Sequence, residues 1–171
     1  MKNIFCVLFA GLFSVALSKA RAQQSASYDI QANIIYHFTK YIDWPDKAGD
    51  FVIGVVGETP LFDEMTTYMA NKMVGGRKIV IRKFPPSATV FSCHILFIPD
   101  EESSRVRKIA AVTAGMPVLL VTETEGMAHR GACINFIVVD EHMKLEINKG
   151  TIEQRKLHIA SELLALGIII K

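Results

Sequence analysis

The sequence predicts an α/β fold: one domain on a mixed, partly parallel sheet flanked by helices, closing with a C-terminal β-hairpin and helix. Three observations carry that expectation. Continuous apolar runs recur at Phe51–Val56, Cys93–Ile98 and Pro117–Val121, the pattern of strands covered on both faces. Stretches between or before them, such as Ser27 to Ile42, space their apolar residues three to four apart, the period of an amphipathic helix. After Ala132, two short apolar runs flank Asp140, Glu141 and His142, which reads as an antiparallel hairpin.

At the N-terminus, Lys2 and the apolar stretch Ile4 to Leu17 precede Ala20, Arg21 and Ala22. This is the layout of an export signal with a small-x-small cleavage site. Residues 1–22 are therefore expected to be a signal peptide cleaved near Ala22, leaving residues 23–171 as a single exported domain in the periplasm. The apolar stretch falls short of the roughly 18 residues of a spanning helix. Cys6 lies inside that stretch rather than after it, which argues against a lipoprotein. The roughly 149 residues that remain suit one hydrophobic core.

The first helix is expected over 27–42, with apolar residues at 30, 34, 35, 38, 41 and 42 and Ser27 as N-cap. Pro45 ends it by restricting Trp44. Phe51–Val56 is the first central strand. The following Gly57, Glu58, Thr59 and Pro60 form a strand-to-helix loop, in which Thr59 caps and Pro60 takes the first position of a helix over about 60–72. Gly75 and Gly76 break the chain before the alternating Lys78–Phe84, a strand with one wetter face nearer an edge. Pro85, Pro86 and Ser87 form a loop before Cys93–Ile98. A helix starting at Asp100 or Ser103 then runs to about Ala114 and turns Val106, Ile109, Ala110 and Thr113 inward. Pro117–Val121 is the third buried strand. The hairpin follows, and Asn148 caps a last helix over about 150–166.

Charge narrows the partners. Of 19 Lys and Arg, Lys2, Lys19 and Arg21 fall in the leader, so 16 face 17 Asp and Glu in the mature chain. A near-neutral balance disfavours nucleic acid, whose binding needs a clustered positive surface. The sequence carries no recognisable catalytic constellation. No Gly-x-Ser-x-Gly turn is present. Gly54 and Gly57 lack the third glycine of a dinucleotide loop, and the five histidines show no metal-ligand spacing. Cys93 and His94 are neighbours in a strand and so point to opposite faces. Acids follow the buried strands at Glu58, at Asp100, Glu101 and Glu102, and at Glu123 and Glu125. Such oxygens suit a hard cation, but the weightier reading is that they complement helix dipoles. Gly75, Gly76, Arg77 and Lys78 form a strand-entry turn more readily than an anion cradle. No catalytic residue, metal site or cofactor is expected.

The segment from Tyr36 to Trp44 is the most distinctive local feature, because it gathers large rings at a helix end. Rings with an apolar body and a wet edge favour interfaces and ligand pockets. Tyr36, Phe38, Tyr41 and Trp44 are the candidate partner- or ligand-binding residues, set against the plainer reading that they lock the helix to the sheet. Cys93 and Cys133 remain after the leader is removed, in a compartment where a disulfide can persist. A bridge between them and two packed thiols are both open.

Six ordered pieces resemble the YfiR family of bacterial periplasmic regulators: Phe38 to Pro45, Ile53 to Gly57, Cys93 to Ile98, Gly131 to Phe136, Leu145 to Asn148 and Ser161 to Leu164. They span nearly all of the mature chain. The resemblance implies a non-enzymatic, often dimeric domain that restrains an inner-membrane signalling protein from the periplasmic side. In the best-known case the partner is a diguanylate cyclase, so the regulator lowers cyclic-di-GMP signalling and biofilm formation. The alternative is a small-molecule sensor acting with a different receptor, such as a histidine kinase. Cys93 matches a cysteine position of the family pattern. Cys133 stands where other members commonly carry methionine, which implies a packed thiol there.

Overall fold

The computed structural model describes residues 27–170, and the expected signal peptide and cleavage site lie outside that range. Helix α1 covers 27–41, with Ser27 already helical rather than a cap. It turns Ile35 and Phe38 into the core, both fully buried. The chain then forms β1 (Ile42–Asp43), and Trp44, 2 % exposed, is driven inward just before Pro45.

Strand β2 is Phe51–Val56, the residues expected for the first central strand. Helix α2 (Leu61–Met69) buries Leu61, Met65 and Met69 along one stripe. The Thr59 hydroxyl accepts from the Leu61 N–H at 3.3 Å, so the expected cap is in place. The helix stops earlier than the expected 72, because Met73–Val74 forms β3 and pairs antiparallel with the start of β4 (Arg77–Phe84). Gly75 and Gly76 make that turn at φ +54° and +80°, a backbone region open to glycine.

Strand β5 is Ile95–Ile98, followed by a 3-10 turn at Asp100–Arg105 and helix α3 at Val106–Val112. Strand β6 is Leu119–Thr122, and a 3-10 turn at Met127–Arg130 leads to β7 at Ile134–Val139. Strand β8 (His142–Asn148) pairs antiparallel with β7 through a tight turn at Asp140 and Glu141. Asn148 caps α4 (Lys149–Gln154) by accepting from the Thr151 N–H at 2.9 Å, as expected.

The expected helix over 150–166 is corrected. The chain instead breaks at Lys156, whose φ is +59°. It then buries Leu157 completely and lays down β9 (His158–Ile159) antiparallel to β1. A short helix α5 (Ser161–Leu164) follows, then β10 (Ile168–Ile170), parallel to β8. Burying Leu157 and pairing β9 with β1 use the apolar residues of this segment in a way that a single helical stripe cannot.

The eight-stranded sheet has the order β10-β8-β7-β6-β5-β2-β4-β3. Strands β4, β2, β5, β6 and β7 are parallel neighbours, in the order 2-1-3-4-5 of flavodoxin-like doubly wound sheets. The sheet is therefore mixed, and helices flank it. Ile53, Ile95, Leu96, Phe97, Leu119 and Leu120 are fully buried, so the central strands are covered on both faces. Gly54 is required where β2 passes between its neighbours. A Cβ there would stand 2.6 Å from the Phe84 ring and 2.9 Å from Leu96 Cδ1.

Candidate functional site

Helix α1 carries more apolar surface than the core uses. Ile35 and Phe38 face inward, while Ile34 and Tyr41 on the flanking stripe are half-buried and Ile30 is exposed. Ile34 and Tyr41, with His37 and Phe38, form one wall of an apolar groove of about 330 Å³. The opposite wall is Met143 and Leu145 of β8, with Lys144 at the rim. Leu163 and Leu166 close the end. Leu166 is 68 % exposed, and the neighbouring Ile168 and Ile169 of edge strand β10 are about half exposed. Apolar side chains that continue from a groove to a sheet edge mark a contact surface.

The structure does not gather the four aromatic candidates on one face. Phe38 stacks on Phe136 of β7 at 6.2 Å and is fully buried at the floor of the groove it helps to line. Trp44 lies edge-on to Phe51 at 5.0 Å, and its Nε1 donates to the His94 carbonyl at 3.1 Å. Both rings fix α1 and its exit to the sheet. Tyr36 packs edge-on against Tyr68 of α2 at 6.2 Å, with Lys40 and Lys72 over its ring. Tyr41 is the candidate that lines the groove most directly. The residues that the sequence reading missed are Met143, Leu145, Leu163 and Leu166. The apolar run Leu163 to Ile170 is the signal that could have found Leu163 and Leu166; Met143 and Leu145 read only as hairpin residues.

The acids at the strand ends stand beside the topological switch between β2 and β5, where doubly wound sheets bind ligands. A cleft of about 550 Å³ opens there beside Gly57, Phe84 and Pro85. Two of its three carboxylates are engaged: Glu58 pairs with Lys83, and Glu102 lies 3.6 Å from Arg105. Glu123 accepts from the Gln31 side chain at 3.1 Å and from the Asp100 N–H at 3.4 Å. Burial pushes its carboxyl above the usual range. Among the described residues, no group of three or more His, Cys, Asp or Glu side chains could hold a metal ion.

Cys93 and Cys133 are free thiols. Cys93 leads into β5 and Cys133 into β7, and β6 lies between those strands. Two strand spacings come to roughly 10 Å, beyond the roughly 7 Å that a disulfide tolerates. The geometry thus favours packed thiols. Burial pushes Cys133 up to about 11 and Cys93 up to about 12, so neither is a thiolate at neutral pH. The His94 ring is occupied as well. Its Nδ1 accepts from the Val52 N–H at 3.0 Å, and its face stacks on Phe51 at 4.5 Å. Burial and the Arg77 charge both lower its pKa.

The distinguishing surface is apolar and shaped for contact, and the polar groups near it are paired or solvated. The fold defines the class: a single α/β domain on a mixed sheet of doubly wound order. A family model described as YfiR/HmsC-like matches residues 28–168, and the chain belongs to that family. Members are periplasmic regulators in cyclic-di-GMP signalling rather than enzymes, and they regulate a membrane signalling partner. No curated protein matches the chain.

Proposed function

We propose that the exported domain binds the periplasmic portion of an inner-membrane diguanylate cyclase and holds it inactive, lowering cyclic-di-GMP. The observation that carries this reading is the apolar groove between α1 and β8, continuous with exposed Leu166, Ile168 and Ile169. Moving such side chains out of water contributes a driving force of about 25 cal/mol for each Å² of apolar surface buried, against which the entropic cost of association must be set. The same edge strand leaves room for a second copy, which is the support for a homodimer. The test is cross-linking in native membranes followed by capture of the regulator. A signalling protein recovered with the wild-type chain and lost with Leu166→Glu supports the reading, and recovery of none overturns it.

A second reading is a small-molecule sensor acting with another receptor, such as a histidine kinase. It is favoured by the volume of the groove, which falls within the range of ligand pockets and is rimmed by polar His37 and Lys144. A ligand bound only by the folded state raises the melting temperature, so a thermal-shift screen separates the two.

A further inference from the structure

Beyond its first two residues, β4 is an edge of the sheet. Strand β2 pairs with it from Ile79 to Phe84, whereas β3 on the other side reaches only Arg77 and Lys78. No strand among the described residues lies alongside the rest of that side. The Phe84 carbonyl accepts from the Gly57 N–H at 2.9 Å, so Phe84 turns its main-chain groups towards β2. These groups alternate in direction along a strand, and those of Ile81 and Lys83 therefore turn to the open side. Unpaired N–H and C=O groups in a row are a template for one more strand.

Charge decides which strand fits. Lys78 and Arg82 are exposed, and among the described residues neither forms an ion pair. Lys83 pairs with Glu58, whose side chain is 83 % exposed; such a pair is worth little, which leaves the cation available to a partner. Between these cations Val80 and Ile81 are half-buried. A second copy that used both open residues would pair Ile81 with Lys83 about a twofold axis and set Arg82 against Arg82. Like charges directly opposite one another are destabilising. The cations thus guard the edge against self-association and at the same time select a strand of opposite charge.

We infer that the open edge of β4 is a docking site for a short, extended, acidic segment of a partner protein, added to the sheet as a further strand. The main-chain groups of Ile81 and Lys83 hold the segment. Its acids meet Lys78, Arg82 and Lys83, and its intervening apolar side chains lie against Val80 and Ile81. This edge is at the opposite end of the sheet from β8 and β10, so it is separate from the apolar groove and does not depend on the regulatory reading.

The test uses two fluorescently labelled peptides, Val-Glu-Val-Asp-Val-Glu and the same peptide with Lys in place of each acid, titrated with the exported chain and followed by anisotropy. The acidic peptide should bind at least about tenfold more tightly than the lysine peptide. Amide hydrogen exchange, followed by nuclear magnetic resonance, should slow at Ile81 and Lys83 when the acidic peptide is bound. The informative variant combines Lys78→Glu with Arg82→Glu. Both side chains are exposed, so the fold is spared, and the preference should invert towards the lysine peptide. Any of three results overturns the assignment: no preference for the acidic peptide in wild type, binding without slowed exchange at Ile81 and Lys83, or a double variant that still prefers the acidic peptide.

Discussion

The indole Nε1 of Trp44 donates to the main-chain oxygen of His94 at 3.1 Å, and that oxygen also accepts the Leu119 N–H at 2.8 Å. One carbonyl thus ties the exit of α1 to the entries of β5 and β6. Trp44→Phe keeps a ring against Phe51 and removes the donor, at a cost of about 0.5–1.5 kcal/mol. Trp44→Ala removes the ring as well, at about 3–5 kcal/mol. Urea unfolding of the two variants checks the ordering.

His94 makes the fold acid-sensitive. Burial, then the Arg77 charge, lowers its pKa from 6.5, so folding favours the neutral ring that accepts from Val52. A lowered histidine contributes stability that is present above pH 6.5 and lost as pH falls through the folded value. Melting temperature measured from pH 7.5 to 5 should fall across that window, and the fall should be smaller in His94→Gln.

Glu123 runs the other way. Burial raises its pKa above 4.5, so the folded state prefers the protonated acid. That contribution is fully present below pH 4.5 and is lost as pH rises through the folded value. Glu123→Gln should therefore melt higher than wild type at pH 7 and match it near pH 4, as followed by circular dichroism.

Gly54→Ala tests the packing of the central strand. The added methyl would meet Phe84 and Leu96 at 2.6 and 2.9 Å, and Phe84, at 9 % exposed, has little room to yield. Overpacking of this kind costs about 1–3 kcal/mol, which denaturant titration should detect without a change in secondary structure.

The central strands were legible in the sequence because burial on both faces writes itself as an unbroken apolar run, as in Phe51–Val56. The caps at Thr59 and Asn148 were legible because their side chains act on amides a few residues away. The C-terminal break was not, since Lys156 adopts a left-handed conformation without the glycine that would announce it. Its cause is tertiary: the burial of Leu157 and the pairing of His158–Ile159 with Ile42–Asp43. The site was half legible. The ring-rich segment pointed to α1, and Tyr41 does line the groove. Phe38 and Trp44 carry the same sequence signal and are largely or wholly buried. The far wall comes from β8 and the chain after α5, too distant in sequence for local patterning to join to Tyr41.

The most direct test is the cyclic-di-GMP level in the native bacterium carrying wild type, a deletion, or Leu166→Glu at equal protein abundance. Leu166 is 68 % exposed, so the substitution spares the fold. A groove that restrains a cyclase requires the deletion and Leu166→Glu to raise cyclic-di-GMP alike. Levels unchanged by the deletion, or a Leu166→Glu strain as repressed as wild type, would contradict it.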